Sequence, residues 1–229
     1  MADLQQPRFD PSFLSRLFIK LKQILFPGSA EYWDQRYASG GSSGQGSYGK
    51  LAEFKAEVIN NFVRERGVVS VIEFGCGDGN QLALADYPRY VGLDVSKRAV
   101  AICAEHFAGD SGKNFFLYEP SHFDDMQEEH KADLALSLDV IYHLVEDEVY
   151  HLYLKHLFGA AGKYVIIYTS DKDERGGFFE RHVRHRNITR DIAERFPGWT
   201  LSQKIKNKYP EGEGSGEASF TDFFIYETR

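Results

Sequence analysis

The stretch VIEFGCGDGNQL, residues 71–82, decides how this chain folds. Four residues suited to a buried strand, Val71 to Phe74, run straight into glycines at positions 75, 77 and 79. Glycine accepts positive φ and carries no Cβ, so a chain turning there can lay bare N–H groups against a ligand. A strand, a glycine-rich turn and a helix form the ligand-binding corner of an open parallel sheet, where ligands gather beyond the carboxyl ends of the strands. A helix is accordingly expected after the turn, from about Asn80 to Ala85.

Upstream of the turn, Leu51, Phe54, Val58 and Phe62 recur at helical spacing, and Gly67 stops that helix near Arg66. VVSVIEF leads into the turn as a strand. Beyond it, YVGLDVS (90–96) reads as a second strand ending at Asp94, and KRAVAICAEHF (97–107) as a helix. NFFLY (114–118) and ADLALSLDV (132–140) read as the third and fourth strands, 146–158 as a helix, GKYVIIYTS (162–170) as the fifth strand and 188–195 as a helix. Strands alternating with helices imply parallel βαβ units. Two late strands, WTLSQKI and SFTDFFIYE, joined by a polar loop over 208–218, look like a hairpin at one end of the sheet.

At 229 residues with no dividing linker, the chain suits one α/β domain. Apolar residues at 42% and aromatics at 14% argue for a filled interior rather than disorder. A net charge of −7 disfavours coating a phosphate backbone, so no nucleic-acid partner is expected. The two cysteines, Cys76 and Cys103, have no spacing for a zinc site or disulfide framework, which fits a reducing, cytoplasmic setting. FLSRLFIKLKQILF (13–26) carries an apolar helical stripe with Arg16, Lys20 and Lys22 off it. It reads either as a helix packed on the domain or a second subunit, or as peripheral membrane contact. The oligomeric state stays open. EYWDQRYASGGSSGQGSYGK (31–50) passes from aromatics into glycine and serine, the composition of a loop that covers a site.

Asp94 ends the second strand fifteen residues after Gly79, where one carboxylate can accept from both hydroxyls of a ribose. A dinucleotide fingerprint would space its glycines G-x-G-x-x-G, which disfavours a dehydrogenase. Here Glu73 precedes G-x-G-x-G, and in this the chain resembles the class I S-adenosylmethionine-dependent methyltransferases. The resemblance runs from about residue 31 to the end, leaving 1–30 as an N-terminal amphipathic extension and 31–229 as the methyltransferase domain. It implies a Rossmann-like fold with a seven-stranded, mostly parallel sheet and an antiparallel C-terminal hairpin strand, helices on both faces. It also implies S-adenosylmethionine as cofactor and S-adenosylhomocysteine as product.

Carried over by position, the resemblance sets Glu73, Gly75, Gly77 and Asp78 against the methionine part, Asp94 on the ribose and Val95 beside the adenine. Glu119 falls where the family places an acid near the adenine amino group. Ser137 and Leu138 close the fourth strand facing the sulfonium. Cys76 joins this set by position, its side chain reading as packing rather than as a nucleophile. YWDQRY resembles the family's covering segment: Trp33 offers an aromatic face to a cation, and Arg36 a partner for the methionine carboxylate.

Methyl transfer needs alignment and exclusion of water, and a base only where the acceptor must lose a proton. Asp139, Tyr142 and His143 in SLDVIYHL follow the fourth strand and are the candidate catalytic residues. Arg181, His182, Arg184 and His185 in ERHVRHRNITR concentrate positive charge that reads either as a solvated face or as a site for an anionic acceptor. No metal set is expected. The expected activity is methylation of a small-molecule or glycan acceptor at oxygen, with N-methylation of a heterocycle and a non-catalytic cofactor-binding module as alternatives.

Overall fold

The computed structural model describes residues 26–123, 130–175, 181–212 and 217–229. The amphipathic helix expected over 13–26 lies, but for Phe26, outside the described residues. A helix α1 (Ser29–Ala38) opens the structure, followed by a one-turn 3₁₀ segment (Gln45–Ser47) and the long helix α2 (Gly49–Arg66). Gly67 ends α2 in the left-handed conformation at φ 61°, as a C-terminal glycine should. The strands β1 (Val71–Phe74), β2 (Tyr90–Asp94), β3 (Lys113–Leu117), β4 (Ala132–Leu138) and β5 (Ala161–Thr169) then alternate with α3 (Lys97–His106) and α4 (Asp147–Ala160). A two-residue pair, β6 (Glu174–Arg175) with β7 (Arg184–His185), precedes α5 (Ile188–Arg195), β8 (Trp199–Ile205) and β9 (Asp222–Thr228).

The sheet runs β3-β2-β1-β4-β5-β9-β8. β1 to β5 pair in parallel, and β9 enters antiparallel between β5 and β8. This is the expected class I methyltransferase architecture. The chain winds outward from β1 to β3, then crosses back to place β4 on the other side of β1. A crevice therefore opens at the carboxyl ends of β1 and β4, the switch point where open α/β sheets bind ligands.

Both faces of the sheet are covered, which explains why the central strands are apolar without alternation. Ile72, Phe74, Ala135, Val165 and Phe224 join one core with Tyr150, Leu154 and Ile188 of α4 and α5. Val71, Leu134, Leu136, Ile166 and Phe223 join the other with Phe54, Ile59 and Phe62 of α2. Among the described residues no helix is long and apolar enough to cross a membrane.

Two expectations change. The helix expected over Asn80–Ala85 is a single 3₁₀ turn, Leu82–Leu84. The aromatic end of the segment read as a loop is α1, a whole helix from Ser29 to Ala38, and the irregular stretch begins only at Ser39.

Candidate functional site

The glycine corner sets the floor of the site. Gly75, Gly77 and Gly79 all hold positive φ, at 87°, 59° and 79°. A Cβ at Gly75 would strike Val140, one at Gly77 would strike Ser43, and one at Gly79 would crowd Cys103 and Phe107. The missing side chains thus admit the turn after β4 and the covering loop as well as leaving backbone open. Cys103 of α3 donates to the Gly77 carbonyl at 3.2 Å and fixes the turn from below.

Asp94, at the tip of β2, is only 6% exposed. Its Oδ2 accepts from the Gly77 N–H and its Oδ1 from the Ser96 N–H, each at 2.9 Å. Each oxygen keeps a second lone pair, and the residue lines a cavity beside the glycine corner. Burial raises its pKa to about 6 against the pull of those N–H bonds. Burial likewise raises Glu73 to about 7, although Tyr90 donates to its Oε2 at 2.6 Å and Lys55 attracts its charge.

The cavity holds about 320 Å³ and runs from the corner to the turn after β4. Glu73, Gly75, Cys76, Gly77, Asp94, Val95 and Leu138 line it, and so does Trp33. Asp78 does something else: its carboxylate accepts from the Ser43 N–H, the Tyr48 hydroxyl and the Asn80 N–H. Burial alone would raise its pKa, but those bonds hold it below the usual carboxylate value. Asp78 is thereby a latch for the glycine–serine loop, whose Ser43 and Ser47 line the cavity. Arg36 is likewise drawn into that cover, donating from Nε to the Ser42 carbonyl at 2.7 Å with its guanidinium over Trp33. Glu119 is exposed and outside the cavity lining, while its neighbours Tyr118 and Pro120 line it. Ser137 is enclosed in the core, its hydroxyl 2.7 Å from that of Tyr153.

Beyond β4 the chain turns through Asp139 at φ 59°, the left-handed region that a non-glycine residue enters only when its surroundings hold it there. Lys55 grips its Oδ2 at 2.6 Å and Tyr142 donates to its Oδ1 at 3.1 Å. His143 then lines the cavity. Its Nδ1 lies 2.9 Å from the His182 carbonyl, an atom that can only accept, so Nδ1 carries the hydrogen and Nε2 is the acceptor. Burial lowers its pKa to about 3, helped by the neighbouring cations and opposed by that carbonyl, so the ring is neutral at physiological pH. Trp33 meets it edge-on at 4.8 Å, and His182 stacks on it at 5.2 Å and on Tyr32 at 4.8 Å.

The basic segment is mostly spent on structure. Arg184 and Arg186 both donate to the Val145 carbonyl and pair with Asp147, and Arg186 also lies over Tyr150 at 4.2 Å. His185 is buried with its Nδ1 2.6 Å from the Ser170 hydroxyl. Of the four expected substrate residues, His182 reaches the site by its stacking on cavity-lining His143, while Arg181 is half-buried and outside the lining. Among the described residues no cluster suited to a metal ion occurs.

Sequence reasoning missed Lys55 and Gln81, both cavity-lining. The signal for Lys55 was present, since it interrupts the buried stripe of Leu51, Phe54, Ile59 and Phe62 with a charge that must find a partner.

Residues 72–161 match the family model described as a methyltransferase domain. Over that span, from within β1 to the first residue of β5, the chain is similar to methyltransferase domains. The chain is 28% identical over 109 residues to a small RNA 2′-O-methyltransferase of Arabidopsis thaliana, a match covering 43% of this chain and 12% of that protein's length. Among solved structures it resembles the methyltransferase domain of bacterial CtHen1-C, with TM-score 0.59 and 20% identity over 76% of this chain and 96% of that one. The N-methyltransferase NodS of Bradyrhizobium japonicum WM9, solved with S-adenosylhomocysteine, gives TM-score 0.66 at 13% identity, covering 88% and 98% of the two chains. At such identities the structural likeness speaks for the fold of the chain.

Proposed function

We propose that the protein transfers a methyl group from S-adenosylmethionine to a hydroxyl oxygen, with the cofactor along the cavity and the acceptor at its His143 end. The cavity's chemistry fits that cofactor. Asp94 offers acceptor lone pairs for a ribose, Val95, Tyr118 and Pro120 offer an apolar surface for a base, and a buried acceptor without a donor, Gln81 Oε1, lies at a residue of the same wall. Bound there, the cofactor supplies an electrophilic methyl group. The covering loop latched by Asp78 shields the site from water, and Trp33 offers an aromatic face to positive charge.

The observation that carries the oxygen assignment is the neutral His143 with Nε2 as its acceptor. An acceptor hydroxyl loses its proton as its oxygen gains a methyl group, and that proton becomes strongly acidic on the way. Even a base weakened to about 3 can take it, so His143 is the proposed proton acceptor. Asp139 is proposed as a positioning residue, since Lys55 and Tyr142 already occupy its two oxygens. Tyr142, with its ring 4.4 Å from the imidazole, and His182, stacked on it at 5.2 Å, are proposed to brace His143.

The acceptor itself is proposed as a small-molecule or glycan hydroxyl, supported by the net charge of −7. A second reading, a ribose hydroxyl of RNA, is favoured by the name of the Arabidopsis relative. Transfer of labelled methyl to fractionated metabolites, glycans and small RNA tests both. Label in a methyl ether of a metabolite or glycan supports the first, label in RNA the second, and label on nitrogen would overturn the oxygen assignment.

A further inference from the structure

Two polar side chains that line the cavity, Gln81 and Lys55, keep hydrogen-bonding capacity that the described protein atoms do not use. Gln81 is 8% exposed and lines the wall. Its Nε2 donates to the Ala52 carbonyl of α2 at 3.1 Å. Because that carbonyl only accepts, the amide orientation is fixed and Oε1 is left as the acceptor end. It is buried with no donor, a condition that native folds rarely leave unrelieved.

One turn along the same helix stands Lys55, fully buried and also lining the cavity. Its ammonium spends one hydrogen bond on Asp139, and an ammonium has three donors. The face of Tyr168 lies 5.3 Å from it. Two carboxylates, Glu73 and Asp139, line the same region. An acceptor that lacks a donor, in a cavity that two acids also line, calls for a ligand ammonium. A lysine with donors in reserve calls for a ligand carboxylate. A group bearing both charges on one carbon matches the pair.

We infer that Gln81 and Lys55 hold the α-amino-acid end of the cofactor, Gln81 Oε1 accepting from its ammonium and Lys55 donating to its carboxylate. This rests on the cofactor reading above. The assignment makes these two residues selective for nucleosides that carry an amino-acid tail, and it explains why α2, far from the corner in sequence, sends a charged side chain into the core.

Two ligands separate this role from a structural one: S-adenosylhomocysteine, and 5′-methylthioadenosine, which keeps the nucleoside thioether without the amino-acid end. Calorimetric titration of both into the full chain is the test. In Gln81→Met, affinity for S-adenosylhomocysteine should fall about tenfold, as loss of a hydrogen bond to a charged group does, while affinity for 5′-methylthioadenosine stays within about twofold. Retained binding of the tailless ligand also shows that the variant is folded. Lys55→Gln should act in the same direction, and Gln81→Leu serves if either variant fails to fold. Equal losses for both ligands, or no loss for either, would overturn the assignment. Failure of the unmodified protein to bind either ligand would overturn the cofactor reading and this inference with it.

Discussion

The two ends of the cavity are built in different ways. At the glycine corner, the floor comes from residues that adjoin in sequence: β1, the turn and the tip of β2, tied by the Asp94 bond to Gly77 over seventeen positions. At the His143 end, the walls come from segments far apart. Lys55 meets Asp139 across 84 positions, His143 meets His182 across 39, and Ser29 donates to Glu146 across 117. The corner is a local consequence of strand, glycine and strand. The acceptor end is a tertiary assembly, whose parts are held by buried ions and stacked rings. Lys55 apart, which the inference above gives to the cofactor's amino-acid end, cofactor affinity should therefore depend on the first and turnover on the second.

The largest effect that would strain this division is on stability. Lys55→Met leaves Asp139 without its buried cation and should cost about 3 kcal/mol, roughly 10 °C in melting temperature for a chain of this size. Adding Asp139→Asn should restore part of it, since the orphaned charge is then gone. A melting curve for Lys55→Met that overlays the parent would mean that the acceptor end is not held by this pair.

Asp94→Ala should weaken S-adenosylhomocysteine by about 100-fold in calorimetry, the scale of two hydrogen bonds to a charged group. His143→Ala should leave that affinity within about threefold and lower kcat by about 100-fold, the low end of what a positioned base contributes. A His143 variant that lost cofactor binding and turnover in parallel would erase the division between the two ends.

The smallest effect is on pH. Asp94 accepts hydrogen bonds from ribose best when ionised, and burial holds its pKa near 6, so affinity for S-adenosylhomocysteine should rise about fourfold from about pH 5.5 to about 7.5. The stability of the free protein carries the opposite sign. Asp94 and Glu73 have raised folded-state values, so their contribution is fully present below about pH 4 and is lost as pH rises through about 6 and 7. Replacing Asp94 by Asn should flatten the rise in affinity, which titrations at the two pH values would measure.

The same division explains what the sequence disclosed. The five parallel strands, the terminal hairpin and the corner were legible because period, glycine and strand length are local signals. Asp94 and His143 were legible because Asp94 closes β2 and His143 follows the end of β4, and the topology brings those ends to one edge. The basic run at 180–190 was legible only as charge, because charge density does not reveal that Asp147 and two main-chain carbonyls hold Arg184 and Arg186. Lys55 carried its signal as a charge on an apolar stripe, but nothing along the chain named Asp139 as its partner. The helical start of YWDQRY was hidden because its aromatic residues pack against rings from the far end of the fold rather than along a periodic face.

The most direct test is a titration of the unmodified protein with S-adenosylhomocysteine and, separately, with NAD. The account predicts one S-adenosylhomocysteine bound per chain and no heat of binding with NAD. Binding of NAD, or no response to S-adenosylhomocysteine, would contradict the reading of the glycine corner on which everything else stands.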